Sequence, residues 1–598
     1  MRLKSRARSQ DLLRKRVEVS LAEIKNPNQQ ANAGSSTTML VMMVVFLGVF
    51  FGLRYFGPKK QPTPATPAQQ QQAQQHQEAL QQATTTAVAN PTAASVAAEG
   101  EQTTTIENAV YRITFTNRGA QVTHWILKDY KDSHGAPLDL VHKTVAAKYG
   151  YPLSLYSYDT SAMAKLNSGL YVASATGNIT APATLTFTYA SSGLEVKKTF
   201  TFDNSYVLGS RIEVKQNGAP VRALLTWPGA LGDQENTSHH TYDQVDTSQN
   251  GSETHVAAKK VSGGNTLNGP FDWAGISDPY FAAIFLPENP ATATIVTLSH
   301  PIDVSKDGDG KNLISIPALG VAAGDVNGAS SVRLFAGPKA VSVLKNVKAA
   351  DGKTTLEPLL DFGFFGVIGK YLFLALQAVH KYVPNWGWSI IVLTVIINLI
   401  LLPLRYKTMQ SALKMQRIQP QMDAIKAKYA KYKVTDPKRG EMNAEIMDLQ
   451  KREGVNVFGG CLPTLIQLPL LFAFLGMLPK VVELRGAHWY WLHDLTAADP
   501  YHILPIIMIV SQFLMQFYTP SPGMDPAQQK MMAFMMPAFS GYITWNYASG
   551  LALYWSIGNL IGIIQQQVMN RTSLGREMKT LAAKRARRRQ PATIQGRR

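Results

Sequence analysis

The stretch from Trp386 to Tyr406, WGWSIIVLTVIINLILLPLRY, reads as an apolar helix long enough to span a bilayer, and it carries Thr394, Asn398 and Arg405. At 100° per residue these three fall within an arc of roughly 40°, so the helix presents one polar stripe. A lipid-facing span has no use for such a stripe, because an unpaired polar group in hydrocarbon is costly. The stripe is therefore expected to face protein or water inside a membrane, and a functional site is expected there.

The rest of the 598 residues fits a chain only partly in a membrane. Its 45% hydrophobic content averages very apolar segments against a large polar portion. A net charge of +19 would suit a nucleic-acid binder, but the positive residues concentrate at the two termini and between Arg405 and Arg452. That is the pattern of cytoplasmic segments in a membrane protein. Cys461 is the only cysteine, which excludes an intrachain disulfide and a cysteine-cluster metal site.

The first apolar run, MLVMMVVFLGVFFGL from Met39 to Leu53, follows eight Lys/Arg and three Asp/Glu, which places the N-terminus in the cytoplasm. A cleaved signal peptide is the rival reading. No small-x-small cleavage site follows, since the chain continues Arg54, Tyr55, Phe56, Gly57, Pro58, so an uncleaved anchor is favoured. The segment from Leu21 also reads like a protein start, so the first twenty residues are read as a candidate extension. Residues 1–38 thus form a basic cytoplasmic N-terminus, 39–56 an anchor, and 57–102 a Pro/Gln/Ala-rich linker with little to bury. From 103 to 355 the pattern is short alternating runs such as TLTFTY, KKTFTF and SRIEVKQ between Gly, Asn, Asp and Ser turns. Period two with regular turns predicts an exported antiparallel β-sandwich.

The C-terminal third reads differently. Residues 363–383 are apolar but include Lys370, His380 and Lys381, as an amphipathic helix in the outer interface would. Spans are predicted at about Trp386 to Leu404, Leu462 to Leu478, Ile503 to Tyr518, Met531 to Trp545 and Leu551 to Met569; with the anchor they make six. Arg405 to Glu453 holds twelve Lys/Arg and the tail 570–598 ten, against only Lys480 and Arg485 in the loop from Pro479 to Tyr501. Both termini are therefore read as cytoplasmic. Residues 409–453 predict two amphipathic helices broken at Asp436-Pro437, a cytoplasmic hairpin. It reads either as a solvated loop closure or as a docking surface for a ribosome, a targeting factor or a nascent chain. The final KRARRRQ suits ribosomal RNA or anionic lipid.

The block NVFGGCLPTLIQLPLLFAF, Asn456 to Phe474, together with NWGWSI from Asn385, DPAQQK from Asp525 and SGLALYWSIGNLIGIIQQQ from Ser549, resembles the YidC/Oxa family of membrane protein insertases. FTNRGAQVTHWILKDY from Phe115 and FDWAGISDPYF from Phe271 resemble the exported part of its Gram-negative form. The resemblance implies a polytopic α-helical membrane protein with a five-helix insertase core at 386–569, an additional N-terminal anchor, and a periplasmic all-β supersandwich similar to sugar mutarotases. It further implies a water-filled groove open to the cytoplasm and closed outward. A substrate's hydrophilic segment enters the groove while its apolar helix slides along the protein into lipid. No nucleotide, cofactor or metal is implied, and no GxxxxGK[ST], GxSxG or HExxH pattern occurs. The implied partners are nascent membrane proteins and the Sec translocon, and the implied place is the cell inner membrane.

One departure concerns the groove. The family commonly has an arginine at the position that aligns with Asn398, which offers only an amide dipole. Arg405, two helical turns further on, is the candidate source of positive potential; its other reading is a simple cytoplasmic anchor. Gln467, Gln516 and Asn559 are further groove candidates, with helix-to-helix hydrogen bonding as the alternative. Tyr554 and Trp555, with Thr394, match the family's sliding surface; an aromatic belt is the alternative. In the exported domain His239, His240, Asp243, Asp307 and Asp309 hint at cations but complete no ligand set. A secondary transporter would use a similar polar interior, but the spans show no inverted repeat. A carbohydrate-processing enzyme would need clustered catalytic carboxylates or histidines in a cleft. An insertase and chaperone, not an enzyme, is the favoured reading.

Overall fold

The computed structural model describes residues 95–589 except 133, 233–242, 306–311, 434–435, 456–461 and 519–525. The anchor at 39–56, most of the linker, His239, His240, Asp307, Asp309 and Cys461 lie outside the described residues.

Alternation decides the N-terminal half. In the strand Leu194–Phe202, LEVKKTFTF, every second side chain from Leu194 is buried, so the run packs one face inward. It is an interior strand of a ten-stranded sheet whose order runs Ser252–Ala257, Gln244–Gln249, Trp273–Ser277, Phe281–Pro287, Ser330–Pro338, Val207–Gln216, Leu194–Phe202, Ala183–Ser191, Val172–Ala173, with Ala219–Pro220 beside Val207–Gln216. Two five-stranded sheets accompany it. One runs from Pro137–Asp139 through Gln121–Lys131, Tyr111–Thr116 and Thr103–Glu107 to Gly177–Thr180; the other from Thr266–Asn268 through Ala293–Ser305, Leu313–Asp325 and Leu224–Trp227 to Ser154–Tyr156. Among the described strands all pairs are antiparallel except Thr103–Glu107 with Gly177–Thr180. Side chains from all three sheets meet in one core, where Phe115 touches Phe187, Phe200 and Phe202 at centroid distances of 5.7, 5.4 and 5.9 Å.

Lys198 occupies an inward position of that alternation and is fully buried. Its Nζ donates to the carbonyls of Gly119, Ala120 and Leu153 at 2.6, 3.2 and 2.9 Å. Ala120 and Leu153 take φ of 47° and 65°, left-handed conformations that cost a residue with a Cβ. The carbonyls replace part of the hydration the ammonium loses.

The helices of the C-terminal part are α1 (Gly366–His380), α2 (Trp386–Ile400), α3 (Leu402–Lys428), α4 (Lys438–Arg452), α5 (Leu462–Met477), α6 (Ile503–Tyr518), α7 (Pro526–Trp545), α8 (Ser549–Arg571) and α9 (Ser573–Arg589). The straight span predicted at Trp386 to Leu404 is two helices, α2 and α3, bent by 49°. Pro403 is the cause: it has no N–H for the Leu399 carbonyl, and its ring crowds that carbonyl. Past the bend α3 runs unbroken through the predicted start of the hairpin at Met409 and through Pro420. Among the described residues no single helix is long and apolar enough to cross a membrane, whereas α2 and α3 together are. The tail expected as a basic extension continues α8 to Arg571 and then forms α9, whose Leu574, Met578 and Leu581 pack on Met409 and Leu413 of α3.

Burial pulls the Lys198 ammonium down to about 7. A folded value below the unfolded one means that unfolding takes up a proton between about pH 7 and pH 10, so stability rises with pH across that window. Lys198→Met abolishes this rise and leaves three carbonyls without their donor, at a cost of about 3 kcal/mol. Denaturant midpoints of the two proteins at pH 7 and pH 9.5 check both effects.

Candidate functional site

The site starts from a capped helix. The Asn385 side chain accepts the Trp388 N–H at 3.2 Å and so fixes where α2 begins. Glycines on α8 let it approach α2 and α3 closely: a Cβ at Gly550 would lie 3.3 Å from Ile390 Cδ1, and one at Gly562 would lie 3.0 Å from Arg405 Nη1.

Along this seam the polar groups form a chain. The fully buried Thr394 returns its hydroxyl to the Ile390 carbonyl at 2.6 Å. Asn398 Nδ2 donates to the Thr394 carbonyl at 2.8 Å, and Asn398 Oδ1 accepts from Arg405 Nη2 at 3.1 Å. Across the seam, Gln565 Nε2 of α8 donates to the Asn398 carbonyl at 3.2 Å. Further along α8, the buried Asn559 donates to Ser511 Oγ of α6 at 3.2 Å. Arg405 reaches back across the bend, so the stripe read from one straight helix is restored by a side chain spanning two. Among the described residues Arg405 makes no ion pair.

The remaining candidates are more dispersed. Gln467 on α5 and Gln516 on α6 are half-buried. Tyr554 is buried and stacks on Phe474 of α5 at 4.1 Å, while Trp555 beside it is half-buried. Asp243 lines a small cavity in the β domain with Ser277 and Asp278. Residue-by-residue reading missed Ser511, Gln512, Ser556 and Gln565. Gln512 Oε1, Ser556 Oγ and Gln565 Oε1 are buried with no hydrogen-bond partner. Polar residues within the apolar runs of α6 and α8 were the available signal.

Polarity changes along the bundle. Toward the β domain, Leu478, Leu484, Trp489, Leu492, Leu495, Leu504, Leu551 and Leu553 share one apolar cluster with Phe474 and Met477. Toward α3, the interior holds Thr394, Asn398, Arg405, Ser556, Asn559 and Gln565. One end is closed by an apolar cluster, and the other is rich in hydrogen-bonding groups.

Residues 103–375 match the family described as the YidC periplasmic domain, and residues 378–576 match the 60Kd inner membrane protein family. The membrane protein insertase YidC of Ralstonia nicotianae is 34% identical over 504 residues, 79% of this chain and 84% of that one. The chain belongs to the YidC family. Its counterpart in Geobacter metallireducens, also named membrane protein insertase YidC, is 32% identical over 559 residues, 90% of this chain and 99% of the relative. A solved structure of an active YidC insertase with its first transmembrane domain resolved is 18% identical, covers 80% of this chain and 94% of its own, and has a TM-score of 0.32. The β domain is thus the YidC periplasmic domain, and it is a β-sandwich.

Gly562→Val forces the Arg405 guanidinium off Asn398 and overpacks the seam. Thermal unfolding of the detergent-solubilised protein should report a loss of about 1–3 kcal/mol, while Gly562→Ala should cost less.

Proposed function

We propose that this chain inserts integral membrane proteins into the inner membrane and helps them fold, alone or beside the Sec translocon. The observation that carries the proposal is the change of polarity along the bundle: hydrogen-bonding groups on the side of α3, an apolar seal on the side of the β domain. A hydrophilic tail brought partway across among such groups keeps part of its solvation. Burial of roughly 20 apolar residues of the substrate in lipid then supplies the drive.

In this reading six spans cross the membrane, namely the 39–56 anchor and the segments carried by α2 with the start of α3, α5, α6, α7 and α8. Both termini, the hairpin 409–453 and the tail 570–598 lie in the cytoplasm. The distribution of Lys and Arg supports that topology. Helices α5 and α6 have 16 residues each, roughly 24 Å of rise against about 30 Å of hydrocarbon, so they thin the bilayer where substrate passes. Thr394, Asn398, Arg405, Gln467, Gln516 and Asn559 line the groove, with Arg405 supplying positive charge that the amide of Asn398 aims inward. Thr394, Tyr554 and Trp555 form the surface along which the substrate helix leaves once α8 parts from α2 and α5, since Thr394 and Tyr554 are buried between them. The hairpin and tail meet the ribosome or targeting factors, and their basic residues also suit anionic lipid.

Liposomes containing only the purified chain should insert a short-tailed single-span protein without nucleotide, scored by protease protection against protein-free liposomes. Equal protection in both would defeat the proposal. Arg405→Ala should lower insertion of an acidic-tailed substrate about tenfold and leave a neutral-tailed one nearly unchanged.

A further inference from the structure

The β domain grips one loop of the helical part. Val482, in the loop between α5 and α6, is buried in the core of the β domain. Three residues on, the Arg485 guanidinium lies 5.6 and 5.3 Å from the ring centroids of Tyr280 and Phe281, and its Nη1 donates to the Lys131 carbonyl at 2.9 Å. Tyr280 Oη donates to Thr496 Oγ1 at 2.8 Å, and Lys480 Nζ donates to the Asp361 carbonyl at 2.5 Å. In return, Val341 from the end of the β domain is buried in the apolar cluster of the helices.

The gripping turn is rigid. The Asp278 carboxylate accepts the N–H groups of Tyr280 and Phe281 at 2.7 and 2.6 Å, and Lys339 Nζ donates to the Asp278 carbonyl at 2.9 Å. The ring of Phe281 stands perpendicular to Tyr130 at 5.5 Å. Two adjacent rings are therefore held in place for one guanidinium.

The gripped loop in turn closes the bundle. Its Leu484, Trp489, Leu492 and Leu495 lie over the outer ends of α5, α6 and α8 in a single apolar cluster. Its carbonyls also complete the first turn of α8: Ser549 N–H donates to Ala497 at 2.6 Å and Gly550 N–H to Leu495 at 2.9 Å. Ser549 Oγ donates to the Asp494 carbonyl at 3.1 Å. The Asp499 carboxylate accepts the Leu504 N–H at 2.7 Å at the start of α6. Moving the loop would open the seal and strip partners from the helix that carries Tyr554, Asn559 and Gln565.

We infer that the β domain is a brace which, through Tyr280 and Phe281 clasping Arg485, holds the loop between α5 and α6 closed over the outer end of the helical bundle. Arg485 is then a positioning residue: it keeps the bundle sealed through the loop that carries it. The geometry of the brace stands without the proposed insertase activity; only its consequence for insertion rests on that reading.

The test uses the full chain in liposomes with two variants, Arg485→Ala and Tyr280→Phe, the second removing one oxygen. Hydrogen exchange is followed at the Ser549 and Gly550 amides and in the strands of the β domain, alongside dissipation of a proton gradient. The brace predicts exchange at Ser549 and Gly550 about tenfold faster in Arg485→Ala, about fivefold faster in Tyr280→Phe, and unchanged protection within the β-sandwich. It also predicts a faster proton leak in Arg485→Ala. Unchanged exchange at Ser549 and Gly550 in both variants, or loss of protection throughout the β domain in Tyr280→Phe, overturns it. Because neither readout uses a substrate, a wild-type chain that inserts nothing while Arg485→Ala still loosens the loop would refute the functional proposal and leave the brace standing.

Discussion

The amide of Asn398 is the interaction on which the helical half depends. Pro403 breaks the helix just beyond it, and Arg405 returns across the bend to the amide oxygen while Gln565 reaches the backbone carbonyl from the opposite helix. A guanidinium in an apolar bundle is costly unless it is hydrogen-bonded. Asn398 supplies that partner without neutralising the charge, as a carboxylate would. The guanidinium therefore keeps its charge while the seam remains packed, and the lack of a side chain at Gly562 makes the space.

The β domain and the helices solve complementary problems. The helical interior is polar toward α3 and apolar at the other end, and the loop that covers the apolar end contributes Val482 to the core of the β domain. The sandwich is well suited to that task because the aromatic rings at its centre, Phe115 against Phe200 and Trp125 against Trp227, pack on one another within the β domain. On the opposite side α9 packs on α3 through Met578 and pairs Glu577 with Arg417 at 2.6 Å.

Much of this was legible in the sequence. Runs such as LEVKKTFTF announce a strand because their period is two, and Ile503 to Tyr518 announces a helix with the boundaries found. The stripe of Thr394, Asn398 and Arg405 was found from angular spacing alone. What escaped were features set by three-dimensional partners. The bend at Pro403 is encoded locally, but apolar continuity on both sides masked it. Lys198 looks like a solvent-facing charge until the carbonyls of Gly119, Ala120 and Leu153 converge on it from distant loops. Gln565 and Ser511 matter only because α8 lies against α2 and α6. The grip of Tyr280 and Phe281 on Arg485 joins residues about two hundred positions apart, which no local pattern shows.

The most direct measurement of the central claim is site-specific photocrosslinking to a ribosome-stalled single-span substrate, with the crosslinker placed at position 565 inside the seam or at position 564, whose isoleucine is exposed on the outer face of α8. A polar interior that receives the substrate's hydrophilic segment predicts capture of that segment from position 565 and not from position 564. Capture of the segment from neither position, in a preparation that inserts the substrate, would contradict the account.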